Sequence, residues 1–483
     1  MDRRRLIAGG AAVFLLRGVG RALVGQEPAA RTGAATLALD AGAPRVAIPE
    51  DFTGLSYESA QLASPGYFSQ ENTRLVALVR QLGPRGVLRL GGSTSDYDTW
   101  KPEWRARGAG WSDPVNPDDG KDATVHAVVT KTAIDELRGF LDATGWSAIY
   151  GLDLGHGSPE AAADEAAYVI QRLGPKLMAL QIGNEPDLFA RDIRPSSYGY
   201  DDYFREWQSF AAAIRRRAPE APLAGPDVSS EVSWAERFAQ QASGIRMLTS
   251  HYYAEGPPES PASDIAHLLR GDGDLAKEMQ HLVSVAESAG VGYRMSEGNS
   301  CYNGGKAGVS DAFASALWGA DFMLLLAQLG VAGINFHGGG RGFYTPITGG
   351  GSAPYRGRPL YGAMLFWQSF AAGLLVPCRF ETGGVHASAY ACVDAKERLA
   401  LAVINRDLGQ DLQVRLTSDA FRGASQAMAL TAPSAASTTD VRLGTQSVAE
   451  GPWHPVWSRR MRRTEVEVPR ASALLLQWEG VSL

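Results

Sequence analysis

Cysteine is scarce in this chain of 483 residues, which contains only Cys301, Cys378 and Cys392. Three cysteines are too few for a fold held together by disulfides. Cys378 and Cys392 could still pair across a hairpin in an oxidising compartment, which would leave Cys301 unpaired. The chain also has no H-x-x-x-H and no C-x-x-C spacing. We therefore predict no metal site and no cofactor.

An excess of positive charge is also missing. The chain has 46 lysines and arginines against 52 aspartates and glutamates, and its formal net charge is −6. This balance predicts no nucleic-acid partner, because binding to phosphates depends on clustered lysine and arginine. One local exception is the stretch RRMRR at residues 459–463. It could meet an anionic polymer, but such a run is more often a solvated face.

The N-terminal apolar run, Leu6–Leu16, is too short to span a bilayer, and we predict no membrane span in the mature protein. The run follows the basic head MDRRR and precedes small residues, an arrangement typical of an export signal. Arg3 and Arg4 resemble the pair of a twin-arginine signal, which implies bacterial export of a folded protein. We therefore predict an export signal at residues 1–30 and a periplasmic or extracellular location. The alternative is an N-terminal core helix.

Short apolar runs alternate with helix-like segments between residues 50 and 350. There are eight runs, each ending in polar or glycine-rich residues: FTGLSY, GVLRLGG, SAIYGLDLG, LMALQIGNE, PLAGPDV, RMLTSHYY, GYRMSEGN and AGINFHGGG. The segments between them carry apolar residues at spacings of three and four, the period of an amphipathic helix. Eight such units predict a (β/α)8 TIM barrel at residues 50–350, with its active site at the carboxyl ends of the strands.

The pattern changes beyond residue 360 to closely spaced strand-like runs without a helical period, such as RLALAVINRD and ASALLLQWEG. Gly, Asp, Ser and Pro separate these runs, and we predict an antiparallel β-sandwich at residues 360–483. Residues 36–49, before the barrel, are also β-like. We expect this strand to pair with the sandwich. The predicted fold class is therefore α/β, a TIM barrel with an appended C-terminal β-sandwich.

Two glutamates fall at the ends of predicted barrel strands. Glu185 lies in LQIGNEPDLF, where a proline stops the fourth strand, and Glu297 ends the seventh strand in YRMSEGNS. Both should therefore meet at one rim of the barrel. Two carboxyl groups across a sugar-sized gap can protonate a leaving oxygen and attack an anomeric carbon. The pair predicts a glycoside hydrolase with a carbohydrate substrate, whereas either residue alone could be a solvated glutamate in a turn.

These motifs resemble those of a known family. GNEP together with the strand-seven glutamate resembles the retaining glycosidases of glycoside hydrolase clan A. The fuller set is similar to glycoside hydrolase family 79, the bacterial β-glucuronidases and the heparanases: GLSYES, RLGGSTSD, IYGLDLG, IGNEPDLF, SHYY, SEGNSCYNGG and GGGRGFYTPI. The resemblance covers essentially the whole mature chain. It implies a retaining β-glucuronidase that releases terminal β-linked glucuronic acid by double displacement, with Glu185 as acid/base and Glu297 as nucleophile.

The resemblance also implies substrate-binding roles for residues near the strand ends. Asn184 is expected to hydrogen-bond the sugar 2-hydroxyl, and Glu58 and Ser59 to bind other hydroxyls or to form a capping turn. Gly92 would let the backbone approach the sugar, although glycine at a strand end is as often only a turn. Tyr253 is expected to donate its hydroxyl to the nucleophile, with a role in the aromatic core as its alternative.

The C6 carboxylate of glucuronic acid needs donors that offset repulsion by the catalytic glutamates. The resemblance and the sequence point to Tyr302 and to the loop at Gly342, where we expect the N–H groups near Phe343 and Tyr344 to face the ligand. Two loop cations could add positive potential or simply be solvated: Lys306 and Arg341. Three histidines at strand ends are expected to be supporting hydrogen-bond partners: His156, His251 and His337.

Two other functions remain open on the sequence alone. An endo-acting, heparanase-like enzyme would cut heparan sulfate-type chains, but the aromatic and acidic residues of RDIRPSSYGYDDYF favour exo action. No excised linker segment of the mammalian heparanase kind is apparent. A catalytically silent carbohydrate-binding protein would use the same barrel. The presence of both Glu185 and Glu297 argues against that alternative.

Overall fold

The computed structural model describes residues 31–103, 127–340, 342–351 and 353–481. The predicted export signal at residues 1–30 lies outside the described residues, as does Arg341. Within these ranges no helix combines the length and the apolar character that crossing a bilayer requires.

A closed barrel forms the larger part of the fold. It is preceded by strands β1 (Arg31–Leu39) and β2 (Val46–Ala47). Ten strands follow in chain order: β3 (Thr53–Glu58), β4 (Val87–Gly91), β5 (Thr99–Trp100), β6 (Val128–Val129), β7 (Ser147–Leu152), β8 (Leu177–Ile182), β9 (Leu223–Val228), β10 (Ile245–Glu255), β11 (Gly292–Cys301) and β12 (Ile334–Gly338). All except the short pair β5 and β6 form the barrel, in which β12 pairs with β3 in parallel. The predicted TIM barrel is confirmed.

Burial explains why the barrel strands appear as nearly continuous apolar runs. Every residue of β3, β4 and β12 is buried, because helices cover the outside and side chains fill the inside. A charged residue within such a strand must therefore find its partners inside the barrel.

Most of the helices connect the barrel strands and cover them. Their bounds are α1 (Thr73–Gln81), α2 (Lys131–Thr144), α3 (Pro159–Leu173), α4 (Tyr200–Arg217), α5 (Val232–Gln241), α6 (Ile265–Arg270), α7 (Leu275–Ser288), α8 (Phe313–Gln328) and α9 (Pro359–Phe370). Several begin at a side chain that accepts a backbone N–H group of the first turn: Asn72, Thr130, Ser158 and Asp264. Such caps contribute about 1 kcal/mol each and fix where a connecting loop ends.

The C-terminal part of the chain is built of strands. In chain order they are β13 (Ile347–Gly350), β14 (Ala353–Gly357), β15 (Leu374–Val376), β16 (Cys378–Glu381), β17 (Ala387–Val393), β18 (Leu399–Asn405), β19 (Gln410–Leu416), β20 (Ala424–Thr431), β21 (Arg442–Leu443), β22 (Gln446–Ser447), β23 (Met461–Arg462), β24 (Glu465–Val468) and β25 (Ser472–Trp478). One sheet has the order β16-β1-β19-β24, and the larger one runs from β2 through β15, β17, β18, β25 and β20 to β22.

The two sheets share an apolar core. Leu37 and Val414 of the first sheet belong to the same buried cluster as Leu401 and Leu476 of the second. The arrangement is a sandwich, and most of its pairs are antiparallel, as predicted. One pair differs: β1 runs parallel to β19.

Helices α8 and α9 lie between the barrel and the sandwich. Almost every side chain of both is buried, and they contact each other and β18. Asp321 is the one charged residue of α8. It accepts hydrogen bonds from Ser388 and from the Tyr390 hydroxyl (2.9 Å) and forms an ion pair with Arg406 (2.9 Å). This buried carboxylate therefore ties a barrel helix to strands of the sandwich.

The candidate disulfide does not form, because all three cysteines are free thiols. Cys378 lies in β16, opposite Leu39 of β1, whereas Cys392 lies in β17, opposite Leu375 of β15. The two residues thus belong to different sheets rather than to one hairpin.

Candidate active site

Glu185 is held just beyond the end of β8 by an unusual backbone conformation. Its φ of 48° lies in the left-handed region, which costs a residue other than glycine roughly 1–2 kcal/mol. The Glu185 N–H group donates to the carbonyl of Asp227 (2.9 Å), and a short 3-10 helix, Pro186–Arg191, begins immediately afterwards. These contacts maintain the conformation and fix the carboxylate at the carboxyl edge of the barrel.

Glu297 lies within β11 and is surrounded by donors. The Tyr253 hydroxyl donates to its Oε1 (2.7 Å), and the Arg89 guanidinium donates to its Oε2 (2.5 Å). His337 Nδ1 lies 3.3 Å from the same Oε2. With a side chain only 7% exposed, Glu297 depends on these partners for the hydrogen bonds that water would otherwise make. The Tyr253 contact is the one expected from the sequence.

The two carboxylates face each other across a short gap. One carboxylate oxygen of Glu185, one of Glu297 and one ring nitrogen of His251 all lie within 4.8 Å of one another. His251 Nδ1 lies 2.8 Å from Glu185 Oε1 and 4.0 Å from Glu297 Oε1. These residue types can also hold a metal ion, but the Arg89 guanidinium already supplies positive charge to Glu297. Within the described chain the cluster is therefore held together by its own hydrogen bonds.

The environment moves the pKa values of the two carboxyl groups in opposite directions. Burial raises the pKa of Glu185, the hydrogen bond from His251 opposes this shift, and the charge of Glu297 adds to it. Burial alone would raise the pKa of Glu297 as well, but His337, His251 and Arg89 lower it to about 2. Glu297 is thus ionised near neutral pH, whereas the pKa of Glu185 lies above its usual range. This division is the one that an acid and a nucleophile require.

Arg89 is the centre of the hydrogen-bond network below the two glutamates, and the sequence analysis missed it. Besides Glu297, the guanidinium donates to four oxygens: Asp227 Oδ2 (2.6 Å), Asn184 Oδ1 (2.7 Å), Gln181 Oε1 (3.1 Å) and Ser56 Oγ (3.2 Å). Despite burial, its carboxylate neighbours raise the pKa of Arg89, so the charge persists. A lone arginine inside the apolar run GVLRLGG was the available signal.

Asp227 and His251 complete the network. Burial alone would raise the pKa of Asp227, but Arg89 and His251 hold it far below its usual range. For His251 the directions are reversed: burial alone would lower its pKa, but Asp227 and Glu297 raise it to about 10. The imidazolium lies 3.2 Å from Asp227 through Nε2 and donates to Glu185 through Nδ1. His251 is thus a direct partner of Glu185.

A cavity of about 540 Å³ opens above the two glutamates. Besides that pair, four residues expected from the sequence line it: Glu58, Tyr253, Tyr302 and Tyr344. Four other predicted site residues are not on its lining: Ser59, Gly92, Asn184 and Gly342. The volume is in the range of pockets that bind small molecules.

The residues near Glu58 support its carboxylate. Thr94 donates to Glu58 Oε2 from both its N–H group (2.8 Å) and its hydroxyl (2.7 Å). A Cβ atom at Gly92 would lie 2.4 Å from the Glu58 carboxyl group, so glycine here makes room for that side chain. The Ser59 hydroxyl contacts Asp98 and Thr94 (3.2 Å). Ser59 therefore helps to position the neighbouring loop.

Hydrogen bonds hold both the backbone and the side chain of Asn184. Its N–H group donates to Asp96 Oδ2 (3.1 Å), and its side-chain Oδ1 accepts from Arg89 (2.7 Å). The other oxygen of Asp96 accepts from the N–H group of Gly155 (3.1 Å). Arg89 thus orients the Asn184 amide, and Asp96 ties together two loops at the carboxyl edge of the barrel.

The loop at Gly342 differs from the expectation. The N–H groups of Phe343 (2.5 Å) and Tyr344 (3.4 Å) both donate to the carbonyl of Gly304 and therefore do not face a ligand. The Gly342 carbonyl accepts from Arg358 (2.7 Å). The loop at Gly342 and the segment at Gly304 are thus hydrogen-bonded to each other. The expectation for these N–H groups was wrong.

Of the other candidates around the cavity, Tyr302 lines it and is 39% exposed. Lys306 donates to the carbonyl of Ser260 (2.8 Å) and does not line the cavity. His337 also lines the cavity, whereas His156 is bonded to the carbonyl of Asp96 (2.7 Å).

Comparison with known proteins gives matches in sequence and in structure. No family model matches the chain. A protein named β-glucuronidase from Aspergillus niger is 26% identical over 400 residues, which cover 75% of this chain and 71% of the relative. A β-glucuronidase from Neurospora crassa is 25% identical over 369 residues, covering 67% of this chain and 65% of the relative.

Solved structures share the fold over almost the whole chain. A 4-O-α-L-rhamnosyl-β-D-glucuronidase from Fusarium oxysporum 12S aligns with a TM-score of 0.71 and 17% identity over 92% of this chain and 100% of the other. A family 51 α-L-arabinofuranosidase from Bifidobacterium longum aligns with a TM-score of 0.65 and 14% identity over 93% and 100%. The barrel, the two facing carboxylates and these relatives together identify the chain as a glycoside hydrolase.

Proposed function

We propose that this glycoside hydrolase is an exo-acting, retaining β-glucuronidase of the family 79 type, which releases terminal β-linked glucuronic acid. The observation that carries the proposal is the pair Glu185 and Glu297. One oxygen of each carboxylate lies within 4.8 Å of one oxygen of the other, and the two pKa values shift in opposite directions. Retaining enzymes keep their two carboxyl groups about 5–5.5 Å apart, too close for an intervening water. The names of the two fungal relatives support the choice of sugar.

In the first step Glu185 donates its proton to the glycosidic oxygen as the bond to the anomeric carbon breaks. Glu297 attacks that carbon from the opposite face and forms a glycosyl ester. The Tyr253 hydroxyl and the Arg89 guanidinium orient the attacking carboxylate, because each donates to a different oxygen. The ionised state of Glu297 is available at neutral pH since its pKa is about 2.

In the second step a water molecule attacks the anomeric carbon and Glu185 takes its proton. The ester has removed the negative charge of Glu297, which is one of the causes that raise the pKa of Glu185. The pKa of Glu185 therefore falls when a base is needed. When Glu297 leaves as a carboxylate, both groups return to their starting states, and one proton has been cycled.

We propose that Tyr302 selects the C6 carboxylate of the sugar. Its ring lies 6.1 Å from that of Tyr253, on the cavity lining near the nucleophile. Gly304, with a φ of 82°, lines the cavity beside it. A hydrogen bond to a charged group contributes roughly 1.5–3 kcal/mol, so Tyr302→Phe should lower kcat/KM for a glucuronide about ten- to a hundredfold and have little effect on the matching glucoside. Equal losses on both substrates would assign Tyr302 to the nucleophile or the fold.

Exo action is supported by the charges on the cavity lining. Among the described residues the lining contains four carboxylates, Glu58, Glu185, Glu255 and Glu297, and only one arginine, Arg191. A polyanionic chain such as heparan sulfate would meet repulsion along most of this surface. We therefore place the endo-acting alternative second.

The test compares three substrates with the purified protein: 4-nitrophenyl β-glucuronide, the corresponding glucoside and a heparan sulfate chain. Turnover of the glucuronide is expected, and NMR should show that the first sugar formed is the β-anomer. The α-anomer as first product would contradict retention. Shortening of the chain alone would select endo action, and no turnover of any substrate would contradict the proposed β-glucuronidase activity.

A further inference from the structure

One wall of the cavity is built on the 3-10 helix Pro186–Arg191, which begins directly after Glu185. In such a helix there are three residues per turn, so side chains three positions apart lie above one another. Leu188 and Arg191 have this spacing within the helix, Glu185 directly precedes the helix, and all three side chains line the cavity. The segment therefore presents a proton donor, an apolar side chain and a cation in one row.

This row lies on the side where the leaving group must sit. Glu185 protonates the glycosidic oxygen, which belongs to the leaving group once the bond breaks. With a rise of about 2.0 Å per residue, the helix carries the chain roughly 10 Å from Pro186 to Arg191, away from Glu185. A leaving group bound at Glu185 thus extends past Leu188 toward Arg191.

Arg191 is also without a carboxylate partner among the described residues. The nearby Arg194 behaves differently: it pairs with Glu206 (3.2 Å) and donates to the carbonyl of Gly155 (2.7 Å). Arg194 is thus used to hold its loop, whereas the guanidinium of Arg191 remains available to a ligand. A guanidinium presents paired N–H donors that match a carboxylate or a sulfate.

We propose that Arg191 binds an anionic group, a carboxylate or a sulfate, on the leaving group of the substrate, so that the enzyme prefers glucuronides of acidic partners. This inference rests on the proposed β-glucuronidase activity. Leu188 contacts the body of the leaving group, and Arg191, the one arginine among the described lining residues, offsets the repulsion that Glu255 and Glu297 exert on such a group. One cation suits one anionic substituent rather than a polyanionic chain.

The experiment measures kcat/KM for 4-carboxyphenyl β-glucuronide and for its methyl ester. The ester has the better leaving group, so a preference for the free carboxylate cannot come from the chemical step. A second pair replaces the carboxylate by a sulfate: glucuronic acid β-linked to N-acetylglucosamine, with and without a 6-sulfate. The ratio of anionic to neutral substrate should fall about fivefold to tenfold in Arg191→Gln and be partly kept in Arg191→Lys.

A matched control removes the same charge elsewhere. Arg422 pairs with Asp419 on the surface of the sandwich, and both side chains are about 80% exposed. Arg422→Gln should keep the wild-type ratio, and raising the salt concentration should lower the ratio in wild type but not in Arg191→Gln. If Arg191→Gln hydrolyses these glucuronides with the wild-type ratio of anionic to neutral substrate, the inference about Arg191 is wrong and the β-glucuronidase proposal stands. No hydrolysis of any glucuronide overturns the β-glucuronidase proposal and the inference with it.

Discussion

Replacing Arg89 by methionine tests the electrostatic role of this residue. Arg89 is 1% exposed and donates to the carboxylates of Glu297 at 2.5 Å and of Asp227 at 2.6 Å. Methionine fills part of the same volume but leaves both carboxylates without the guanidinium. Removing one partner of a buried ion pair costs about 3–5 kcal/mol, so we expect the free energy of unfolding to fall by that amount.

Arg294 offers a matched control within the barrel. It is 2% exposed, but its described hydrogen bonds go to neutral oxygens, among them Asn335 Oδ1 (2.7 Å) and the carbonyl of Phe52 (3.3 Å). Burial lowers the pKa of Arg294 to about 10. Unlike Arg89→Met, the Arg294→Met variant leaves no buried carboxylate without its counter-charge, and it also relieves the burial of a charge. Arg294→Met should therefore lose less stability than Arg89→Met.

Two assays separate the variants: urea unfolding, and the pH dependence of kcat/KM for a glucuronide. Against the effect of burial, His337, His251 and Arg89 hold the pKa of Glu297 at about 2. Arg89→Met should move the acid limb to higher pH and Arg294→Met should not. Equal losses of stability together with an unmoved acid limb would refute the reasoning. Arg89→Lys, which keeps the charge, provides a milder variant should the methionine variant not fold.

Three further predictions concern the glutamates and the buried Asp321. Glu297→Ala should lose turnover, and added azide should restore it by entering the vacated space and forming the α-configured glucuronyl azide. If NMR shows the β-azide instead, Glu297 is not the nucleophile. Glu185→Ala should lose far more kcat/KM with poor leaving groups than with good ones, since only the poor ones need protonation, and equal losses would remove Glu185 from the acid role. In Asp321→Ala, Arg406 loses its ion pair at 2.9 Å, so the free energy of unfolding measured in urea should fall by about 3–5 kcal/mol. A variant as stable as wild type would show that the pair contributes little.

The barrel could be predicted because each of its strands carries its own signal. Every one of the eight apolar runs overlaps a barrel strand, and each stops at polar or glycine-rich residues. Glu185 could be found in the same way, since it lies where a run ends, whereas the strand that carries Glu297 continues to Cys301. Burial on both faces makes such strands recognisable without any knowledge of their neighbours.

The network below the glutamates could not be predicted, because its members come from different strands. Arg89 is visible in GVLRLGG, but nothing in that run indicates that it will bond Gln181, Asp227 and Glu297. The orientation of the N–H groups at Phe343 and Tyr344 had no sequence signal either, since it depends on the approach of Gly304. Contacts of this kind are set by tertiary packing.

The place of β1 in the smaller sheet has a consequence for biosynthesis. Leu37 pairs with Phe380 on one side and with Leu416 on the other, and the bonded residues Thr36 and Glu381 are 345 positions apart. The ribosome therefore delivers this strand long before either of its neighbours, and the whole barrel is synthesised in between. The entropy of closing so long a loop rises only with the logarithm of its length, so the thermodynamic penalty is modest. The order of synthesis matters more, because β1 has both of its neighbours only after β19 has emerged from the ribosome.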